Sequence, residues 1–464
     1  MSARLVLFGL VLLAPACARQ PEPPRHLLLV TVDTLRADAL GCYGSPRAST
    51  DAAHARERGS APGFTLDELA AQGLLYENAF TPRAMTFPAL GSLFTGLSPL
   101  AHGALSNGDL LPAAHETLAE ALAARGFRTA AFTTNKLLVP GSGIEQGFAR
   151  FESDFSPARD ERMTEAAAQF LREHAARGER VFVWLHLVGP HLPYAPEPPD
   201  GIDFRALGCD ARHAGTADGS REWADAVHAA GAQLSAADLE QARGLYAAEV
   251  ARVDHVLSRA LAGLERDGLL GQSLLVFTAD HGEELGERHA YFGHSKSVTA
   301  AGLHVPLFLR HPATLAPQRA SELLGLESLG DELLARLLPG LRAPRRPSAL
   351  EVGLWHERIF SARDERWRLV WNPEKLEPQE TPPGAYPVPE IALYDERADP
   401  QDLIDLAAQR PDEVARLRAA IERWRATQQR WSGTQSAPDA QRQRALREMG
   451  YAGEKADAPR VEKH

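Results

Sequence analysis

The sequence predicts an α/β fold, with a mostly parallel central sheet flanked by helices and a small C-terminal α+β subdomain. Two strands of the buried type support this prediction. Residues 26–32 and 274–278 are almost entirely apolar or β-branched, and a carboxylate follows each of them, Asp33 and Asp280. Such apolar runs are typical of strands that are covered on both faces of a parallel sheet. Helical and strand patterns alternate between them, which is the βαβ order of such a sheet.

The alternation continues through the first two thirds of the chain. Helices are predicted at 65–72, 117–124, 161–176 and 236–266, and further strands at 129–133, 181–187 and 305–309. The strand at 305–309 is expected to close the large domain. Residues 195–235 are rich in Asp, Gly, Ala and His, and they are expected to form an insertion over the site, because long loops often control access to an active site.

The composition changes at 343–347, where the sequence reads Ala-Pro-Arg-Arg-Pro, and this change marks a domain boundary. The predicted division is 26–343 for the large domain, 348–434 for the subdomain and 435–464 for a polar, mobile tail. Within the subdomain the patterns predict short antiparallel strands and one amphipathic helix. These elements fall at 350–355, 358–362, 367–371 and 411–425.

The N-terminus predicts export from a bacterial cytoplasm. A basic residue precedes the apolar run 5–13, and Ala-Pro-Ala-Cys follows it. This is the pattern of a cleaved signal peptide, 1–16, which is too short to span a membrane. A Pro-rich spacer, 17–25, comes next. Cys17 is the expected lipid attachment site of a periplasmic or cell-envelope lipoprotein, and the alternative is ordinary cleavage with secretion.

Composition limits the partners. The chain has 464 residues, is 44% hydrophobic and carries a net charge of -11. That length can bury a large core. An acidic chain without a basic run lacks the face that phosphate backbones require, so no nucleic-acid partner is expected. Contact with a membrane is expected only through a lipid on Cys17. Cys42 and Cys209 remain for the folded part, and their pairing stays open.

The two strand ends predict one shared site. Open α/β sheets place their chemistry at the carboxyl ends of the strands, so Asp33, Asp280 and the adjoining His281 are expected to lie together and to hold a divalent metal. Thr86 precedes Pro88 and a small, apolar run. This pattern indicates a nucleophile at a helix N-terminus, where free N–H groups favour an anionic ester. The alternative for Thr86 is a helix N-cap.

The order of these motifs resembles the sulfatase family of the alkaline phosphatase superfamily. The resemblance lies in Val-Asp-Thr-Leu-Arg-Ala-Asp at 32–38, Thr-Phe-Pro at 86–88, Leu-Phe-Thr-Gly-Leu-Ser-Pro at 93–99 and Asp-His-Gly at 280–282. The segments 184–194 and 393–407 agree with it, so the resemblance spans about 26–430. It implies an alkaline-phosphatase/sulfatase-like fold, with 26–343 as the catalytic domain of a hydrolase that acts on sulfate or phosphate esters.

The resemblance also implies roles for single residues. Asp33, Asp280 and His281 match the family's metal ligands, and Thr86 Oγ would complete the set around one divalent ion. Ca, Mg, Mn and Zn are not distinguished. Thr86 occupies the place of the Cys or Ser that becomes formylglycine in sulfatases. Thr cannot be converted in that way, and this segment also resembles that of nucleotide pyrophosphatases and phosphodiesterases, which use Thr directly as the nucleophile.

Four basic residues are expected to neutralise the transferred group or to protonate the leaving group. His191 matches the substrate-side histidine of the family and His294 its later histidine, while Lys296 and Lys136 are further cations near matched segments. The alternative for each is a solvated polar side chain. His186 is expected to be a core histidine of its strand.

Several positions depart from the family pattern. Leu90 stands where a cation follows the nucleophile, Thr34 replaces a second Asp, and no aspartate precedes His191 as it does in two-zinc phosphodiesterases. We therefore expect one metal ion. We also expect a hydrolase that prefers phosphate and acts on an anionic ester of a glycan or a lipid. The alternatives are a phosphoryl-group transferase acting on envelope glycans or lipids, and a degenerate member that binds such a ligand without turnover.

Overall fold

The chain is described here from a computed structural model. The described residues are 21–47, 49–57, 59–195, 207, 217–230, 234–287, 292–295, 298–341, 350–355, 358–375, 388–399, 402–433 and 440–449. The predicted signal peptide, Cys17, Cys209, Lys296 and the boundary at 343–347 lie outside them.

An eight-stranded sheet and a two-stranded hairpin make up the strands of the large domain. These strands are β1 (His26–Val32), β2 (Leu74–Phe80), β3 (Phe127–Thr133), β4 (Arg150–Ser153), β5 (Arg180–Leu187), β6 (Ser273–Ala279), β7 (Glu284–Leu285), β8 (Phe292–Gly293), β9 (His304–Arg310) and β10 (Gln318–Gly325). The order across the large sheet is β10-β2-β9-β6-β1-β5-β3-β4, and β7 pairs with β8.

The large sheet is mostly parallel, as predicted. Only β9 runs antiparallel to its neighbours, β2 and β6. The prediction that 305–309 closes the domain is wrong in position, because β9 lies inside the sheet and β10 forms the edge. Both faces of β9 are buried, so its apolar sequence matches that of a parallel strand and does not reveal its direction.

Helices connect and cover the strands. They are α1 (Ala52–Glu57), α2 (Leu66–Ala70), α3 (Thr86–Thr95), α4 (Pro99–His102), α5 (Leu118–Ala123), α6 (Arg159–Ala176), α7 (Arg221–Ala230), α8 (Ala236–Arg266), α9 (Ala300–Leu303), α10 (Leu329–Leu337), α11 (Pro411–Thr427) and α12 (Ala440–Glu448). Thr65 and Thr117 begin α2 and α5 with reciprocal capping boxes, which satisfy the free N–H groups of those ends.

The main core lies against the sheet. Trp184 of β5 is fully buried, and its ring packs against Phe94 of α3, with ring centroids 4.7 Å apart, and against Phe148. The helix that begins at Thr86 is therefore fixed to the sheet by aromatic packing.

The C-terminal subdomain is an antiparallel sheet covered by a helix, as predicted. Its strands are β11 (Glu351–Trp355), β12 (Ile359–Arg363), β13 (Trp367–Trp371) and β14 (Ile391–Asp395), paired in this order. Leu417 and Ile421 of α11 are fully buried against Leu369 and Leu393 of the sheet.

Residues 440–448 differ from the prediction of a mobile tail, because they form α12. Arg442 and Ala445 of this helix are buried, and Ala445 packs against Leu137. The helix is strongly polar, so its burial depends on a surface built by distant residues. Among the described residues, the helices include none that is long and apolar enough to span a membrane.

Candidate active site

Two adjacent parallel strands bring the predicted metal ligands together. In the β1–β6 pair Val32 lies opposite Ala279, so Asp33 and Asp280 leave the sheet side by side. His281 Nε2 lies 3.7 Å from Asp33 Oδ1 and 3.6 Å from Asp280 Oδ2. All three side chains are fully buried. One potential ligand atom from each residue lies within 4.8 Å of the others.

The chemistry of this group fits a divalent cation. Asp33 Oδ1 and Asp280 Oδ2 are buried and have no hydrogen-bond partner among the described residues. Burial and the neighbouring Asp33 carboxylate raise the pKa of Asp280 to about 6. Buried carboxylates without a cation are costly, and two oxygens with one imidazole nitrogen are ordinary ligands of divalent metals.

The remaining carboxylate oxygens are held from the protein side. Asn135 Nδ2 donates to Asp33 Oδ2 over 2.5 Å, and the backbone N–H groups of Thr34 and His281 donate to Asp280 Oδ1. Such contacts orient metal-binding carboxylates. Thr34 adopts a φ of 55°, a left-handed conformation that is uncommon for a β-branched residue. It directs the Thr34 N–H towards Asp280.

Asp33 has a second neighbour in His186. Burial opposes ionisation of Asp33, but the nearby imidazoles of His186, His191 and His281 lower its pKa below the usual range. His186 Nε2 lies 3.9 Å from Asp33 Oδ2, and His186 Nδ1 lies 2.8 Å from Thr31 Oγ1. The residue is fully buried in its strand, as expected, and it also contacts the site.

Thr86 lies at the same site. It is the first residue of α3 and is fully buried. Its Oγ1 lies 3.3 Å from His281 Nε2. The residue at the N-cap position is Met85, which makes no side-chain capping bond, so the N-cap alternative for Thr86 does not agree with the structure. The hydroxyl instead faces the carboxylate–histidine group.

Asn107 is a polar neighbour of Thr86 that the sequence analysis missed. Its Oδ1 accepts a hydrogen bond of 2.9 Å from the Phe87 backbone N–H, in the first turn of α3. Its Nδ2 is buried without a partner in the described part of the chain. An Asn between Ser and Gly is typical of a turn, so the sequence carried no signal for this contact. The structure therefore places the Asn107 amide at the first turn of α3, the helix that begins at Thr86.

His191 and His294 both lie next to the carboxylate–histidine group. The ring centroids of His294 and His281 are 4.5 Å apart, and those of His191 and His294 are 5.0 Å apart. Burial lowers the pKa of His191 to about 4, although Asp33 acts in the opposite direction. Glu283 Oε1 lies 3.0 Å from His294 Nδ1. Two predicted histidines are thus brought together with the predicted ligands.

Lys136 is not part of this arrangement. Lys136 Nζ forms an ion pair of 2.5 Å with Glu448 of α12, and its side chain is 36% exposed. The preceding residue, Asn135, is the one that contacts Asp33. Lys136 is therefore occupied at the surface, which corrects its expected position. Lys296 lies outside the described residues.

The fold and the site define a class of α/β proteins, the alkaline phosphatase superfamily. Residues 25–337 match the sulfatase family, and the chain belongs to that family. Among curated proteins it is 27% identical to human arylsulfatase A over 296 residues, 59% of this chain and 55% of that protein. It is 25% identical to the multifunctional alkaline phosphatase superfamily protein PehA of Trinickia caryophylli, over 57% of this chain and 64% of that protein. These matches span about half to two thirds of the relatives' lengths.

Solved structures show the same fold over most of the chain. The phosphonate monoester hydrolase of Agrobacterium radiobacter superposes with a TM-score of 0.62 at 21% identity, covering 88% of this chain and 96% of that protein. A protein solved with its substrate D-glucosamine-2-N,6-O-disulfate gives a TM-score of 0.64 at 17% identity, covering 88% and 99%. At these identities the likeness concerns the fold.

Proposed function

We propose that this protein is a metal-dependent hydrolase of sulfate or phosphate esters that prefers phosphate and uses Thr86 directly as its nucleophile. The observation that carries the proposal is the position of Thr86 Oγ1, 3.3 Å from His281 Nε2, beside two buried carboxylates. In this assignment Asp33, Asp280 and His281 hold one divalent metal, and Thr86 Oγ1 completes the donor set. The bound metal would polarise the ester and lower the pKa of the hydroxyl.

The reaction proceeds in two displacements. The Thr86 oxygen gives up its proton to solvent and forms a bond to phosphorus or sulfur while the bond to the leaving-group oxygen breaks, which gives a Thr86 ester and an alkoxide. His294, with His191 beside it, supplies a proton to that alkoxide. Water then attacks the Thr86 ester and passes one proton to His294, and the released Thr86 oxygen takes up a proton from solvent, so the inorganic anion leaves and both residues return to their starting states. The two histidines are assigned to the leaving-group side, because the His294 ring is tilted against that of His281 and the His191 ring lies edge-on to that of His294.

Asn107 is assigned to the developing negative charge. Its Nδ2 is a buried donor without a partner in the described residues, and its Oδ1 is fixed by the Phe87 N–H. Donors that are already oriented towards the transferred group stabilise the transition state more than the ground state. The positive end of the α3 helix dipole lies at the same place, because α3 begins at Thr86.

The preference for phosphate follows from the chemistry of Thr. A formylglycine hydrate can expel sulfate by elimination through its second hydroxyl, whereas a Thr ester has no such hydroxyl and must be cleaved by attack at sulfur or phosphorus. Water attacks phosphorus more readily than sulfur when a cation shields the phosphoryl charge. Phosphate esters are therefore the better substrates for this nucleophile.

The relatives agree with an anionic ester as the substrate. Their names include an arylsulfatase and a phosphonate monoester hydrolase, and one structural neighbour was solved with a sulfated sugar. We propose a glycan or lipid ester as the leaving-group class. We also propose that the protein is exported and anchored through a lipid on Cys17.

One experiment tests the function. The purified protein is analysed for bound metal and assayed against aryl phosphate monoesters, aryl phosphate diesters and aryl sulfates. The expected result is one metal per chain and faster cleavage of a phosphate ester. Cleavage of aryl sulfates far above aryl phosphates would contradict the direct Thr86 mechanism, and binding without turnover of any ester would favour the degenerate alternative. Transfer to an added alcohol in place of water would identify a transferase.

A further inference from the structure

The C-terminal helix α12 lies against three segments that form the site. Arg442 contacts the residues that follow Thr86, Glu448 pairs with Lys136 next to Asn135, and Met449 lines a cavity of about 280 Å³ that also reaches His191. A segment that follows the catalytic and C-terminal domains in sequence therefore returns to the wall of the site.

Arg442 is the most buried contact of this helix, at 3% exposure. Its guanidinium carbon lies 4.3 Å from the centroid of the Phe87 ring. Its Nη2 donates to the backbone carbonyls of Asn107, over 3.0 Å, and Asp109, over 2.5 Å. A guanidinium can make these contacts at once because it is planar and presents several donors in a fixed geometry.

These contacts converge on one relationship within the site. Phe87 and Asn107 are already joined by the hydrogen bond from the Phe87 N–H to Asn107 Oδ1. Arg442 contacts the ring of Phe87 and the backbone carbonyl of Asn107. It therefore fixes both residues that share the hydrogen bond. The unpartnered Asn107 Nδ2 is thereby held at a constant position relative to Thr86, one residue before Phe87.

We propose that Arg442 is a positioning residue, which acts through Asn107 to hold the amide donor beside the Thr86 nucleophile. The inference rests on the proposed function, because it assigns Asn107 to the transferred group. Displacements of about 1 Å in such donors cost much of their effect on the transition state. Loss of Arg442 should therefore lower kcat while KM changes little.

A double-mutant cycle in the full-length protein separates positioning from general stability. Arg442→Gln should lower kcat by about 10-fold or more, and Asn107→Ala by about 100-fold or more. If Arg442 acts through Asn107, the double variant should lose no more activity than Asn107→Ala alone. Arg444→Gln is the matched control, because Arg444 lies on the same helix with an exposed side chain. Additive losses would overturn the inference.

Hydrogen exchange gives a test that does not depend on turnover. The Phe87 amide should exchange at least about 10-fold faster in Arg442→Gln, and also in Arg442→Lys, which keeps the charge but lacks the planar guanidinium that packs on the Phe87 ring. Arg444→Gln should exchange as wild type does. An unchanged Phe87 amide in both Arg442 variants would overturn the positioning role. Failure of the proposed function would differ, because Thr86→Ala would then retain wild-type turnover.

Discussion

Glu283 and His294 form a buried pair beside the carboxylate–histidine group, with Glu283 Oε1 3.0 Å from His294 Nδ1. The other oxygen of Glu283 accepts a hydrogen bond of 2.7 Å from the Tyr194 hydroxyl, and burial raises the pKa of Glu283 to about 7. A carboxylate on Nδ1 fixes the tautomer and the orientation of the ring. Glu283 therefore orients the ring of His294, the residue proposed as the proton donor to the leaving group.

Glu283→Ala is expected to separate substrates by their leaving groups. Turnover of phenyl phosphate should fall by roughly 10- to 100-fold, because an unactivated alkoxide needs a proton in the transition state. Turnover of 4-nitrophenyl phosphate should change little, because that leaving group departs as an anion. Steady-state kinetics on both esters provide the measurement. Tyr194→Phe, which keeps the Glu283–His294 bond, is the comparison, and equal losses on the two esters would show that Glu283 has only a structural role.

Removal of one metal-binding carboxylate should empty the site. Asp280→Asn or Asp33→Asn is expected to weaken metal binding by at least about 100-fold, roughly 3 kcal/mol, because the cation loses a charged ligand in a buried site. Metal content by elemental analysis after gel filtration measures this effect. Asp267→Asn is the control, because this carboxylate lies at the exposed end of α8. Full occupancy in Asp280→Asn would contradict the assignment.

Thr86→Ala is expected to abolish turnover while fold and metal content persist. Without the nucleophile the rate should fall by at least about 3 orders of magnitude, which corresponds to about 4 kcal/mol of barrier. Thr95→Ala, at the other end of the same helix, should retain activity, because in the described part of the chain its hydroxyl bonds only to the Gly91 carbonyl and the Leu97 N–H. Wild-type turnover in Thr86→Ala would exclude the direct mechanism.

The sequence predicted those parts of the fold that have a local cause. The helix at 236–266 has the predicted bounds, because its signals are local. Its N-cap, Ser235, directly precedes it, and the helical periodicity of its apolar residues lies within it. The meeting of Asp33 and Asp280 also followed from a local rule, since both end parallel strands. The direction of β9 could not be predicted, because an apolar strand buried on both faces has the same pattern in either direction.

Contacts between distant segments account for what the sequence did not predict at the site. Asn107 and Asn135 are ordinary turn residues by pattern, and only the fold brings them to Phe87 and Asp33. Lys136 was predicted at the site because of its positive charge, yet its ion-pair partner is Glu448 of α12. The burial of Arg442 could not be predicted either, because the surface it covers is assembled from segments more than 300 positions away.

The mature N-terminus is expected to begin at Cys17 with a diacylglyceryl group. Mass spectrometry of protein extracted from membranes with detergent measures this modification. Cys17→Ser should move the protein into the soluble fraction without changing the activity of the folded domain, because a lipid chain provides the membrane affinity. An unmodified Cys17 at the N-terminus would support secretion without a lipid anchor. A retained Met1 would contradict both export predictions.

His102 is expected to make the folded state sensitive to mild acid. Its Nδ1 accepts a hydrogen bond of 3.1 Å from the Ala104 N–H, so the proton sits on Nε2, which lies 3.2 Å from the Pro88 carbonyl and 3.0 Å from Ser92 Oγ. Burial lowers the pKa of His102 to about 3. Protonation of Nδ1 would break the bond to Ala104.

The sign of this effect follows from proton linkage. Above about pH 6.5, the pKa of an unfolded histidine, neither state binds the proton and His102 contributes no pH dependence. Between about pH 6.5 and pH 3 only the unfolded chain binds the proton. As the pH is lowered through this range, the free energy of unfolding should therefore fall by up to about 1.4 kcal/mol per pH unit because of this residue. His102→Gln should reduce the slope of unfolding free energy against pH by about one proton, measured by denaturant titration between pH 4 and 6 at roughly half-unit steps. The same slope in both proteins would mean that His102 is protonated in the folded state, which the bond from Ala104 does not allow.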